Sequence, residues 1–134
     1  GKLMELQSLV DERSILEKVE ELKALLVELK IRSDQEKSFL VKKYGVKKIE
    51  YSAKYIEDLK KYAGNYKLIK STEFKLLDAK DYRKNYHELI KNHRKYEKYL
   101  HARINNNLRI MYKIERSTLI FYEIITKNEF DSTR

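Results

Sequence analysis

Apolar residues set the first period along the chain. Ile15, Leu16, Val19, Leu22, Leu26 and Leu29 recur at steps of three and four, which gathers them into one stripe along a helix. Residues 2–45 are helical in pattern throughout. Ser33-Asp34-Gln35-Glu36 has the form of a capping box and predicts a second helix from there to Tyr44. Gly45 fits the left-handed residue that closes it. Past Gly45 the period changes. Residues 46–51 read as a short strand, and Ser52 as the N-cap of a helix over residues 53–63. Tyr55, Ile56, Leu59 and Tyr62 lie on one face of that helix, and Gly64 follows its end. A further helical stretch over residues 66–85 carries Leu68, Ile69, Phe74, Leu76 and Leu77, with Ser71-Thr72 as a possible break.

Strict alternation then takes over, in residues 99–104 and again in 108–114. Between them lie Asn105, Asn106 and Asn107; asparagine tolerates positive φ, so the triplet predicts a hairpin loop. Pairing Ile104 with Leu108 pairs Arg103 with Arg109, Ala102 with Ile110, His101 with Met111 and Leu100 with Tyr112. One face then holds Leu100, Ala102, Ile104, Leu108, Ile110, Tyr112 and Ile114. The other holds Tyr99, His101, Arg103, Arg109 and Lys113. A turn at residues 115–118 leads to a strand over 119–125 that is apolar on both sides, as an interior strand is. Tyr122 falls beside Met111 on the basic face. Helices first and strands grouped later predict an α+β fold, with N-terminal helices followed by an antiparallel sheet packed on helices. An all-helical protein would need residues 99–125 to be helical, against the alternation and the asparagine triplet.

Charge divides the same chain in two. The net charge is +9, yet residues 1–45 hold as many acidic as basic side chains, so residues 46–134 carry all of it. Ten of the 11 tyrosines also lie there. The division predicts a helical N-terminal extension, 1–45, before a basic domain, 46–134. Cations for phosphates and rings for bases suit nucleic acid; the bland alternative is a lysine-rich solvated surface. The sequence has no cysteine and three histidines, without CxxC or HExxH spacing, so no metal site is expected. No apolar run reaches the roughly 20 residues of a membrane span, and the charged first turns do not read as a signal peptide. A cytoplasmic protein is expected.

Several segments resemble one family. Lys48-Ile-Glu-Tyr-Ser-Ala-Lys-Tyr-Ile-Glu-Asp-Leu-Lys60 looks like the opening strand and helix of the RelE/YoeB/YafQ toxin superfamily. Tyr86-His-Glu-Leu-Ile-Lys91 looks like its approach to a three-stranded meander. Ala102-Arg-Ile-Asn-Asn-Asn-Leu-Arg-Ile-Met-Tyr112 looks like the core of its YoeB branch. The resemblance implies a metal-independent endoribonuclease toxin (an mRNA interferase) that cleaves RNA, often mRNA on the ribosome, by 2′-hydroxyl attack. It implies no cofactor and a cognate antitoxin as partner.

On that reading Arg103 and Arg109 hold the phosphate, because guanidinium forks match its geometry. His101 is the general base or acid, and Lys127 stabilises charge or acts as acid. Lys91, Arg94, Lys95 and Lys98 track the RNA backbone, and Tyr122 or Phe130 stacks on a base; Phe130 can equally pack on the sheet edge. Asn92 stands where the family has glycine, and the glutamate that serves the YoeB branch as general base has no secure match. These departures leave a degenerate RNA-, ribosome- or protein-binding module as the alternative. The N-terminal helices could fold back on the domain, bind an antitoxin or a second copy, or cover the arginines.

Overall fold

The computed structural model describes residues 12–81 and 86–134. The beginning of the first predicted helix and residues 82–85 of a later one lie outside the described residues. Helix α1 (Glu12–Ser33) and helix α2 (Phe39–Tyr44) precede strand β1 (Lys48–Tyr51). Helix α3 (Ala53–Lys61), a 3-10 turn (Ala63–Asn65) and helix α4 (Tyr66–Asp78) follow. Strands β2 (Glu88–Leu89), β3 (Leu100–Arg103), β4 (Leu108–Glu115) and β5 (Thr118–Thr126) lead to a last helix, α5 (Lys127–Ser132). The five strands form one sheet in the order β1-β5-β4-β3-β2. The meander β3-β4-β5 is antiparallel as expected, but β1 joins β5 in parallel, so the sheet is mixed. β5 is the interior strand its apolar sequence predicts.

Local chemistry explains most boundaries. The Ser52 side chain accepts from the Tyr55 N–H and starts α3. Gly45, at φ 64°, ends α2 in the left-handed region. The capping box at Ser33 does not form. Ser33 continues α1, its hydroxyl donating to the Lys30 carbonyl, and α2 starts only after its true N-cap, Ser38. Lys37 explains the gap: its ammonium donates to the carbonyls of Ile31 and Arg32, closing the end of α1. Nor do Ser71 and Thr72 break α4. The Thr72 hydroxyl folds back onto the Leu68 carbonyl and leaves the helix whole.

The main core lies between the sheet and the helices. Tyr55, Leu59, Ile69, Leu76, Ile110, Tyr112, Leu119 and Phe121 are buried in it. α1 packs on β1 and α3, and it does so on an unexpected side. Glu20 and Ala24 are the buried residues, with Leu16, Val27 and Ile31 against the core. The stripe of Ile15, Val19, Leu22, Leu26 and Leu29 faces outward. Polar anchors set this orientation. Glu20 accepts from Tyr66 and Lys70, and Lys70 also donates to Glu73 and Tyr51. Tyr51 and Tyr55 both donate to Glu73 at 2.8 Å. Burial raises the Glu73 carboxyl above its usual range, against the pull of Lys70. Glu28 accepts from the Ile49 N–H at 2.8 Å, which blunts the open edge of β1. No helix among the described residues is long and apolar enough to cross a membrane.

Candidate nucleic-acid interface

The β3-β4 hairpin has the register that alternation predicts. Leu100 faces Tyr112, His101 faces Met111, Ala102 faces Ile110, and Arg103 faces Arg109. Asn105 builds the loop, its side-chain oxygen accepting from the N–H groups of Asn107 and Leu108. The second turn holds Arg116 and Ser117 at φ 49° and 67°, the two positive values of a tight type I′ hairpin.

Between β4 and β5 the register shifts. Met111 pairs with Glu123, and Tyr112 with Phe121, so Tyr122 is an extra residue in a β-bulge. It therefore does not pair with Met111, as the unbroken register had it. The bulge lets Phe121 and Ile124 both point into the main core. α3 satisfies the backbone it frees: Ser52 donates to the Tyr122 carbonyl and buried Asp58 accepts from the Ile124 N–H. Tyr122 stays on the basic face, edge-on to Tyr99 at 5.6 Å, with the Lys113 ammonium 5.7 Å from its ring.

That face is not an open sheet surface. Ile90, Tyr96, Met111, Ile125 and Phe130 form a second small core on it, with Tyr99 alongside. The segment between β2 and β3, together with α5, supplies the cover. His93 pins the two together. Its Nδ1 accepts the N–H groups of Lys95 and Tyr96, so its Nε2–H donates to the Phe130 carbonyl at 2.8 Å. Asn92 takes φ 55°, a conformation glycine would adopt without strain.

The arginine pair lies beside this small core. Arg103 is exposed and Arg109 half-buried. The Arg109 guanidinium lies 4.8 Å over the Phe130 ring, and that of Arg134 lies 5.1 Å from it. His101 stacks on the same ring, centroids 6.0 Å apart and planes 8° from parallel. Its Nε2 meets the Glu88 carboxylate at 3.2 Å, while Nδ1 is buried without a partner. A bare ring nitrogen costs less there than an unpaired N–H, which puts the proton on Nε2, toward Glu88. Burial holds the His101 pKa below its ordinary value; Arg109 and Arg103 push the same way and Glu88 opposes them. Burial also lowers Arg109, with Arg103 adding to the effect.

Other expected residues sit around this centre. Phe130 is buried, so its ring supports the two cations and His101 instead of presenting a free face. Lys127 opens α5 at the hairpin-loop end, its N–H donating to the Asn107 carbonyl and its side chain exposed. Lys91, Arg94, Lys95 and Lys98 are all exposed along the β2–β3 connection. Glu88 and Arg134 escaped the sequence reading. A two-residue strand leaves no period to read, and a terminal arginine carries no motif.

No protein-family model matches the sequence, and neither does any curated protein. Solved structures do match. YafQ from Escherichia coli superimposes with a TM-score of 0.50 at 19% identity, over 60% of this chain and 93% of its own. A metal-bound toxin from Helicobacter pylori gives 0.48 at 22% identity, over 60% and 94%. A chain of the YoeB-YefM complex from Staphylococcus aureus gives 0.43 at 20% identity, over 57% and 92%. With its β1-α3-α4 opening, its antiparallel meander and the YafQ superposition, the chain has the fold of the RelE-type toxins, preceded by the additional helices α1 and α2.

Proposed function

We propose that this protein is a ribonuclease toxin of a toxin-antitoxin pair, acting in the cytoplasm on single-stranded RNA such as mRNA, free or on the ribosome. The observation that carries the reading is the juxtaposition of Arg103 and Arg109 on neighbouring strands, with His101 and Glu88 beside them. Two like charges set opposite one another are unfavourable on a sheet, and a phosphodiester between them turns repulsion into attraction. The YafQ-like fold supports the same reading, and an antitoxin would then cover this face.

In the proposed reaction the 2′-oxygen attacks the adjacent phosphorus and the bond to the 5′-oxygen breaks, leaving a cyclic phosphate. The Glu88 carboxylate, held by the His101 Nε2–H, takes the 2′-hydroxyl proton. Lys127 supplies a proton to the departing oxygen. Arg103 and Arg109 meet the charge that builds on the phosphate oxygens, the role guanidinium groups fill best. Lys91, Arg94, Lys95 and Lys98 guide the RNA backbone, and Tyr122 offers a ring to a base.

A second reading is favoured by the buried His101 Nδ1, which leaves that ring a single accessible nitrogen. On it the protein is a degenerate relative that holds RNA, a ribosome or a protein without cleaving. Inducible expression in bacteria separates the two. Growth arrest relieved by Arg103→Ala or Arg109→Ala is expected of the nuclease; unaffected growth with intact mRNA is expected of the binder.

A further inference from the structure

The outward face of α1 is a seam with nothing of this chain seated on it among the described residues. Ile15, Val19, Leu22, Leu26 and Leu29 are 54, 38, 63, 68 and 61% exposed. They alternate steps of four and three, the heptad spacing of a coiled-coil a/d seam. From Ile15 to Leu29 the seam runs about 21 Å. The flanking heptad positions hold Lys23 and Lys30 on one side, and Lys18, Leu25 and Arg32 on the other. Every charge next to the seam is thus positive, and the acids that pair with three of them, Lys18, Lys23 and Lys30, lie off the seam. Glu21 meets Lys18 at 3.6 Å, and Asp78 meets Lys30 at 3.2 Å. Lys23 lies against Tyr66 and Glu20 on the α4 side.

We infer that α1 is the docking helix for an acidic amphipathic helix of another protein, with leucine or valine on its seam and glutamate or aspartate on its flanks. Charge selects this occupant. A second copy of the chain would set basic flank against basic flank in either the parallel or the antiparallel arrangement. An anionic membrane surface would attract the lysines, but the seam is narrow, lacks aromatic residues and carries Glu21 just beyond one edge. α1 packs on β1 and α3, whereas the arginines lie on β3 and β4, so this surface is separate from the proposed RNA site and does not depend on that reading.

The test uses the full chain and two synthetic heptad peptides of about 28 residues, long enough to be helical when paired. Both carry Leu and Val at seam positions; one has Glu and the other Lys at the flanks. Fluorescence anisotropy is expected to show the Glu peptide binding at least tenfold more tightly, and more weakly as salt rises. Leu22→Glu with Leu26→Glu is expected to weaken it roughly 100-fold without changing the thermal melt, since both side chains are exposed; Leu22→Ser alone repeats the test more mildly. Equal binding of both peptides, or binding indifferent to these variants, overturns the proposal. So does concentration-dependent dimerisation in sedimentation that Leu26→Glu abolishes, or binding to phosphatidylserine vesicles without binding to the Glu peptide.

Discussion

At the scale of single residues, function and stability are held by different side chains. Arg103 and Arg109 contribute repulsion to the fold and attraction to a phosphate. His87, by contrast, is buried and serves the fold: its N–H donates to the Tyr112 hydroxyl oxygen at 2.9 Å, and its ring stacks on Phe39 at 5.1 Å. Burial pushes its pKa down to about 4, from 6.5. The sign follows from which state binds the proton. Below about pH 6.5 the unfolded chain takes it up and the folded chain does not, so stability falls until pH reaches about 4, by about 3 kcal/mol. Urea unfolding between pH 7 and 4 is expected to show this slope in the wild type. His87→Asn, which tolerates the φ of 65°, is expected to flatten it. The arginines and their register were legible because alternation reports faces directly. Glu88 was not, because its partner His101 lies across a strand pair too short to leave a pattern, and Phe130 could be given two fates that only packing decides.

Among the elements, α1 teaches most. Hydrophobicity alone assigns its leucine stripe to the core, yet the helix is turned the other way. The cause is a polar set that three elements bring together, Glu20 from α1, Tyr51 from β1 and Tyr66, Lys70 and Glu73 from α4, so no local motif announces it. Lys70 sits between two carboxylates, so Lys70→Met leaves Glu73 without a cation and Glu20 with only Lys23, 3.8 Å away. The expected loss is about 3–5 kcal/mol by chemical denaturation. A loss below about 1 kcal/mol would mean that apolar contacts alone seat α1. The β5 strand shows a similar limit of legibility. Its apolar run reads as an interior strand, which it is, but the bulge at Tyr122 depends on Ser52 and Asp58 from α3. The opening strand, the α3 cap and both hairpin turns were legible because each is set by residues within a few positions of one another.

For the molecule as a whole, the net charge of +9 and the separation of surfaces matter most. The sheet carries its cations on the face away from α3 and α4, while α1 covers the edge of β1. RNA binding is expected to weaken as salt rises, with a log–log slope of about −0.7 for each phosphate contacted on a single strand. Arg103→Ala with Arg109→Ala is expected to make that slope shallower by about 1.4, in filter binding or anisotropy across a salt series. An unchanged slope would assign the binding to the lysines of the β2–β3 connection instead.

The most direct measurement is incubation of the purified full chain with an end-labelled single-stranded RNA, alongside the Arg103→Ala/Arg109→Ala protein and an RNA with one 2′-deoxy nucleotide at the cut position. The account predicts fragments ending in cyclic phosphate from the wild type, a loss of at least about 100-fold in the double variant, and no cut at the deoxy position. Equal cleavage by the double variant, or cutting at the deoxy nucleotide, would contradict it.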